Sequence, residues 1–211
     1  MEHLPIDHSP IPIRLFKSDF LEFFTHIHPA VIVILWLPVA VFFLLYEIVN
    51  RPGGRFPLFV PVCFLVGLFL WTFVEYTLHR FVFHYRARTP RQERIVFLFH
   101  GIHHAQPQCK TRLVMPPVVS IPMGAILFGI LYLILGLLFK QPHLVYPLTS
   151  GLLIGYLIYD LTHYATHHFR MLGRITKYLK RYHMMHHYRT PDQRFGVSSP
   201  LWDIVFRTKP A

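Results

Sequence analysis

Four long apolar runs separated by polar stretches of unequal length dominate the chain. They cover residues 29–48, 56–78, 113–139 and 144–161. Each is about the 20 residues that a helix needs to cross a bilayer. An unbroken apolar run of that length reads as a membrane helix, because only a helix satisfies its own backbone in lipid. The pattern predicts an all-α, polytopic membrane protein with four transmembrane helices. The third run carries Pro116, Pro117 and Pro122. It is therefore either one long kinked span or a broken entry segment followed by a shorter helix from about Met123. Short turns at 50–55 and 140–143 join the spans in pairs. The polar stretches 79–112 and 162–211 are long enough to build a helical cap, and the 211 residues read as a single domain. Residues 13–24, "IRLFKSDFLEFF", mix apolar and charged side chains. They predict an amphipathic helix, either lying on the bilayer surface or packing on the cap.

Charge sets an orientation on this plan. The chain is 53% hydrophobic yet has a formal net charge of +11. Nucleic-acid binding would explain the charge and leave the apolar runs unexplained, so no nucleic-acid partner is expected. With four crossings, the N-terminal segment, the 79–112 loop and the tail share one side. That side carries 18 Lys and Arg, against 3 in the two short turns. Such a bias places the basic side in the cytosol. Both termini and the cap are then cytosolic, in the endoplasmic reticulum of a eukaryote or the inner membrane of a bacterium. The start of the chain lacks the basic and apolar regions of a signal peptide, so the first span is expected to do the targeting. Two cysteines, Cys63 and Cys109, make neither a disulfide framework nor a cysteine zinc site.

Histidine is the unusual residue. Eleven of the 16 lie in four clusters, all on the basic side. "HRFVFH" holds His79 and His84; "HGIHH" holds His100, His103 and His104. "HYATHH" holds His163, His167 and His168, and "YHMMHH" holds His183, His186 and His187. Residues three and four apart share a helix face, so each of the last three clusters can aim at a common point. His79 and His84, five apart, are about 140° apart on an α-helix and are expected to straddle a helix end. His168 is the weakest ligand of its cluster, a ligand or an orienting neighbour. Ring N–H groups of metal-bound histidines usually donate to carboxylates or carbonyls. Glu75, four before His79, and Asp160, three before His163, are candidates for that task. Histidines scattered singly, His3, His8, His26, His28 and His143, read as interfacial hydrogen-bonders. Ten or eleven imidazoles exceed what one ion takes and imply two. A His-rich pair of ions next to lipid suits O2 activation and attack on a C–H bond of a lipid chain. The span centres carry no His, Asp or Glu, which argues against a transporter.

These boxes closely resemble those of the sterol desaturase and fatty acid hydroxylase superfamily. Within it, "PIRLFKSDFLEFF", the Tyr159–Asp160 pair and "RFGVSSPLWDIVFRT" are most similar to the fatty acid 2-hydroxylase branch. The resemblance runs from about residue 12 to 208. It implies a four-span enzyme with a dinuclear metal centre that hydroxylates C2 of long or very long acyl chains, as fatty acid or ceramide. Iron is the metal that O2 chemistry requires, though an all-nitrogen site would also hold zinc. The resemblance further implies electrons from cytochrome b5 and an NAD(P)H-dependent reductase. The chain has no room for a fused cytochrome b5 module, so a separate donor protein is expected. Sterol C4 or C5 oxidation and carotenoid hydroxylation are the neighbouring chemistries. Tyr159 and Asp160 are the candidate catalytic pair. The tyrosine is expected to reach the substrate cavity or to anchor a span end, and the aspartate to orient His163.

Overall fold

The computed structural model describes residues 6–7, 9, 11–50 and 58–210. Positions 51–57, which hold most of the first turn and the start of the second apolar run, lie outside the described residues, as do His3 and His8. The described residues form helices and loops with no strand. In chain order these are α1 (Asp19–Phe23), α2 (Pro29–Val49), α3 (Phe59–Thr77), α4 (Pro90–Val96), α5 (Ile102–Ala105), α6 (Pro117–Leu131), α7 (Val145–His168), α8 (Arg174–Tyr188) and α9 (Leu201–Val205). Three of these continue or connect as π-helix: α3 through Leu78–Phe83, α4 into α5 through Phe97–Gly101, and α6 through Tyr132–Leu138. Four helical stretches are long and apolar enough to cross a membrane: Pro29–Val49, Phe59–Phe83, Pro117–Leu138 and Pro142–His168.

Three boundaries differ from the sequence reading. The third span starts at Pro117, where proline needs no N–H partner, includes Pro122 and runs on past Met123 to Leu138 without a break. The fourth runs to His168 rather than stopping at 161. Side-chain polarity changes at that point, but the helical hydrogen-bond ladder continues. The amphipathic helix expected over 13–24 shrinks to the five residues of α1. Glu22 is the reason. Its carboxylate accepts from the amides of Leu15 and Phe16 and pairs with Arg112, while Ile13 N donates to Gln106. These contacts hold 13–17 in a non-helical path.

The chain divides into two compact units. One comprises Ala30–Trp71 and Met115–Ile158 and holds most of the apolar helix length. Its fourth-span helix is the interior one: 72% of its apolar stretch is buried, against 6% for the third span. Glycines let it approach α3 closely. A Cβ added at Gly67 would lie 2.1 Å from Leu148 O, and one at Gly151 2.0 Å from Phe64 O. Small residues at such contacts are the usual means of packing membrane helices. Two buried hydrogen bonds add to it, Trp36 Nε1 to Ser120 Oγ and Ser150 Oγ to Ala40 O.

The other unit comprises Met1–Pro29, Thr72–Val114 and Tyr159–Ala211. Its interior is unusual in the number of imidazoles it holds. His79, His84, His100, His103, His163, His167, His183, His186 and His187 are all buried.

Candidate metal centre

Ten histidines converge in this unit as two groups of five. The first group is His79, His84, His100, His104 and His186; the second is His103, His163, His167, His183 and His187. In each, one nitrogen per residue lies within 4.8 Å of all the others.

Local helix geometry explains the division. Residues at i and i+4 are offset by about 40° one way, and residues at i and i+3 by about 60° the other. His100 and His104 therefore join one group while His103 turns to the other. His183 and His187 likewise share a group and His186 leaves it. This corrects the expectation that each triplet aims at one point: every H-x2-HH box serves both groups. His163 and His167, four apart on the last turns of α7, stay together. The five-residue spacing of His79 and His84 is resolved by the π-helix that carries His79. A π turn bonds i to i+5, and His84 N donates to His79 O at 3.0 Å. That turn brings the two rings to 4.9 Å.

Within the first group, Nε2 of His100 lies 3.1 Å from that of His79 and 3.0 Å from that of His104, and Nε2 of His84 lies 3.1 Å from that of His186. In the second, Nε2 atoms run His163–His103–His187–His183–His167 at 2.8, 2.9, 3.0 and 2.9 Å. His79 and His186 donate Nδ1–H to the carbonyls of Phe195 and Gln193. That assigns the lone pair to Nε2, the inward atom. Lone pairs facing one another at these distances in a buried space repel unless a cation lies among them. Two ligands about 2.1 Å from an ion and at right angles are about 3.0 Å apart, whereas a tetrahedral spread would open this to about 3.4 Å. Each group therefore has the spacing to hold a cation.

Electrostatics prepare the same chemistry. Burial, reinforced by neighbouring imidazoles, holds His84, His100, His103, His104, His183 and His187 far below the usual histidine range. Burial lowers His186 to about 4, against the opposing pull of the Gln193 carbonyl. At neutral pH these rings are uncharged, as a metal requires.

The remaining candidates lie outside both groups. The His168 ring packs on Tyr164, 4.8 Å between centroids. The Glu75 carboxylate does not meet the His79 ring, both of whose nitrogens are engaged elsewhere. It accepts from the amides of Val197 and Ser198 and from the Ser198 hydroxyl. Asp160 is buried on α7, one turn before His163. Tyr159 is only 5% exposed and stacks on the His163 ring at 5.9 Å. Sequence reasoning passed over Asp203, fully buried and bonded to the Phe195 and Gly196 amides. Nothing in "PLWD" distinguishes it from a surface acid.

The fatty acid hydroxylase family profile matches residues 64–208. The dihydroceramide fatty acyl 2-hydroxylase FAH1 of Arabidopsis thaliana is 39% identical over 208 residues, covering 99% of this chain and 84% of the plant protein. The ceramide very long chain fatty acid hydroxylase scs7 of Schizosaccharomyces pombe is 37% identical, covering 91% of this chain and 54% of its own length. A solved structure of full-length scs7p, in which only the hydroxylase domain is visible, superposes with a TM-score of 0.83 at 36% identity, covering 93% of this chain and 72% of that one.

Proposed function

Because the chain belongs to the fatty acid hydroxylase family, we propose that its ten clustered histidines hold two metal ions and that it hydroxylates C2 of long acyl chains during sphingolipid synthesis. The observation that carries this reading is the pair of five-nitrogen groups, to which the ends of two apolar helices contribute His79, His163 and His167. His79 lies near the end of the second span, and His163 and His167 occupy the last turns of the fourth. C2 is the carbon beside the carbonyl, so in a bilayer it stays near the headgroup, at the depth of such helix ends. The acyl substrate is a fatty acid or the fatty acyl group of a ceramide.

The net reaction is RCH2–C(=O)– plus O2, two electrons and two protons, giving RCH(OH)–C(=O)– and water. When bound, a pair of ions, iron in the active protein, supplies reductive activation of O2 and attack on an unactivated C–H bond. The chain's own residues do the rest. The two groups fix ten imidazoles close together, nine of them buried. Tyr159, held beside His163, offers its hydroxyl to the polar head of the substrate, and Asp160 steadies the turn that carries His163. Electrons come from a cytochrome b5-type donor and an NAD(P)H-dependent reductase. The histidine face is cytosolic, consistent with the Lys and Arg bias, which favours an acidic donor.

Elemental analysis of the purified full chain tests the metal reading. Two ions per chain are expected, together with a melting temperature that falls on strong chelation. One ion or none, or a melting temperature indifferent to chelator, would refute it.

A further inference from the structure

We propose that the loop Gln193–Ser198 is an orienting frame for the first histidine group alone, and that Glu75 and Asp203 are the positioning residues that hold this frame. The inference rests on the reading that each group holds one ion.

Two members of the first group point their outer ring N–H at this loop. His186 Nδ1 donates to Gln193 O at 2.7 Å, and His79 Nδ1 donates to Phe195 O at 2.5 Å. Each bond fixes a tautomer and a ring rotation, so Nε2 is presented inward with its lone pair free. The carbonyls belong to a stretch without helix or strand. Irregular backbone holds such carbonyls in place only if its amides are anchored.

The anchors are two buried carboxylates that take four successive amides. Asp203 Oδ1 accepts from Phe195 N at 2.9 Å and Oδ2 from Gly196 N at 2.8 Å. Glu75 Oε1 accepts from Val197 N at 2.6 Å and Ser198 N at 2.8 Å, and Oε2 accepts from the Ser198 hydroxyl. Thr208 Oγ1 donates to Asp203 Oδ1 at 2.7 Å, closing the far side. Asp203 is 0% exposed and Glu75 3%. Gly196 is required by the fit, since an added Cβ would come 2.0 Å from Ser199 O and 3.0 Å from Asp203 Oδ2. Each carboxylate thus takes two neighbouring amides, which fixes the path of the loop where it meets the rings.

The second group takes no bond from this loop; its one backbone contact is that of His163 with Leu113. Among the described residues, Nδ1 of His103, His167, His183 and His187 meets no acceptor, as does that of His84 in the first group, and none of these rings is turned toward the Gln193–Ser198 carbonyls. Loosening the loop should therefore weaken one site and spare the other.

The test uses the metal-loaded full chain in detergent, dialysed against rising chelator, with metal per chain counted at each step. Asp203→Asn and Glu75→Gln keep size and place an amide donor against a backbone N–H. Each is expected to release one ion at roughly 10–100-fold lower chelator than the wild type, while the second ion leaves where it did before. Gly196→Ala should act in the same direction by displacing the loop, and Ser198→Ala more weakly. Adding His104→Ala to Asp203→Asn should leave the second ion where it was, whereas adding His103→Ala should affect both. Ser150→Ala, in the other unit, is expected to leave the release pattern unchanged. Parallel loss of both ions, or no shift in any of the four loop variants, would overturn the frame. A wild type holding fewer than two ions would instead overturn the two-ion reading on which it stands.

Discussion

Replacing Gly151 by alanine tests the packing that carries the fourth span. In a free helix the change should help, because glycine costs about 0.8–1 kcal/mol relative to alanine. Here the new Cβ would lie 2.0 Å from Phe64 O, where ordinary contact begins at 3.4 Å. The obstacle is backbone rather than a movable side-chain tip, so the two helices must part by more than about 1 Å. Overpacking of this kind costs about 1–3 kcal/mol, and parting also loosens the contact at Gly67. The clash outweighs the propensity gain, and the net effect should be destabilising by about 1–2 kcal/mol. Gly129→Ala is the internal control, since a Cβ there meets nothing within 4 Å. The assay is thermal unfolding of the purified protein in one detergent. Gly151→Ala should melt several degrees below the wild type, and Gly129→Ala at or above it. The Gly67→Ala/Gly151→Ala pair should cost less than the sum of its parts, because helices already parted admit the second methyl. Equal melting of Gly151→Ala and Gly129→Ala would refute the close-contact argument.

Adjacent substitutions should separate the two groups: His103→Ala and His104→Ala should each lose activity and one ion, and combining them should lose both, as read by elemental analysis. Tyr159→Phe should keep both ions and lose most 2-hydroxylated product, whereas Asp160→Ala should lose metal as well; full activity in the first or full occupancy in the second removes the role assigned. His143→Ala, whose ring packs edge-on against Phe59 rather than in either group, should keep its activity. Acid should destabilise the metal-free protein. The ordinary histidine value is about 6.5, and burial holds His186 at about 4 and its neighbours lower. As pH falls below about 6.5 the unfolded chain takes up protons that the folded one refuses, so stability declines with acidity until about pH 4 for His186 and further for the rest. A melting temperature flat between pH 7 and 5 under chelation would contradict this.

The four spans were legible because about twenty apolar residues in a row admit few other structures. Their polar ends were not. Residues 162–168 look like the start of a soluble tail, yet they continue α7, since a helix crossing into water changes its side chains and not its hydrogen bonding. The histidine boxes showed where imidazoles gather but not how they divide, because spacing alone does not say that i+3 and i+4 diverge into two groups. The π turn at Leu78–Phe83 was invisible for the same reason, though the spacing of His79 and His84 is the spacing such a turn joins. Glu75 was recognised as an acid with a task, but its partner lies more than 120 residues away at Val197 and Ser198. Contacts at that separation leave no mark on local periodicity, and Asp203 and the Glu22–Arg112 pair were missed on the same ground.

The most direct test is lipid mass spectrometry of a host lacking 2-hydroxylated lipids, expressing the chain with an electron donor under 18O2. The expected result is ceramide-linked or free long acyl chains carrying one 18O at C2, absent when His186→Ala is expressed instead. Acyl chains left unmodified at C2, an oxygen placed on a sterol ring, or 2-hydroxy product drawing its oxygen from water would contradict it.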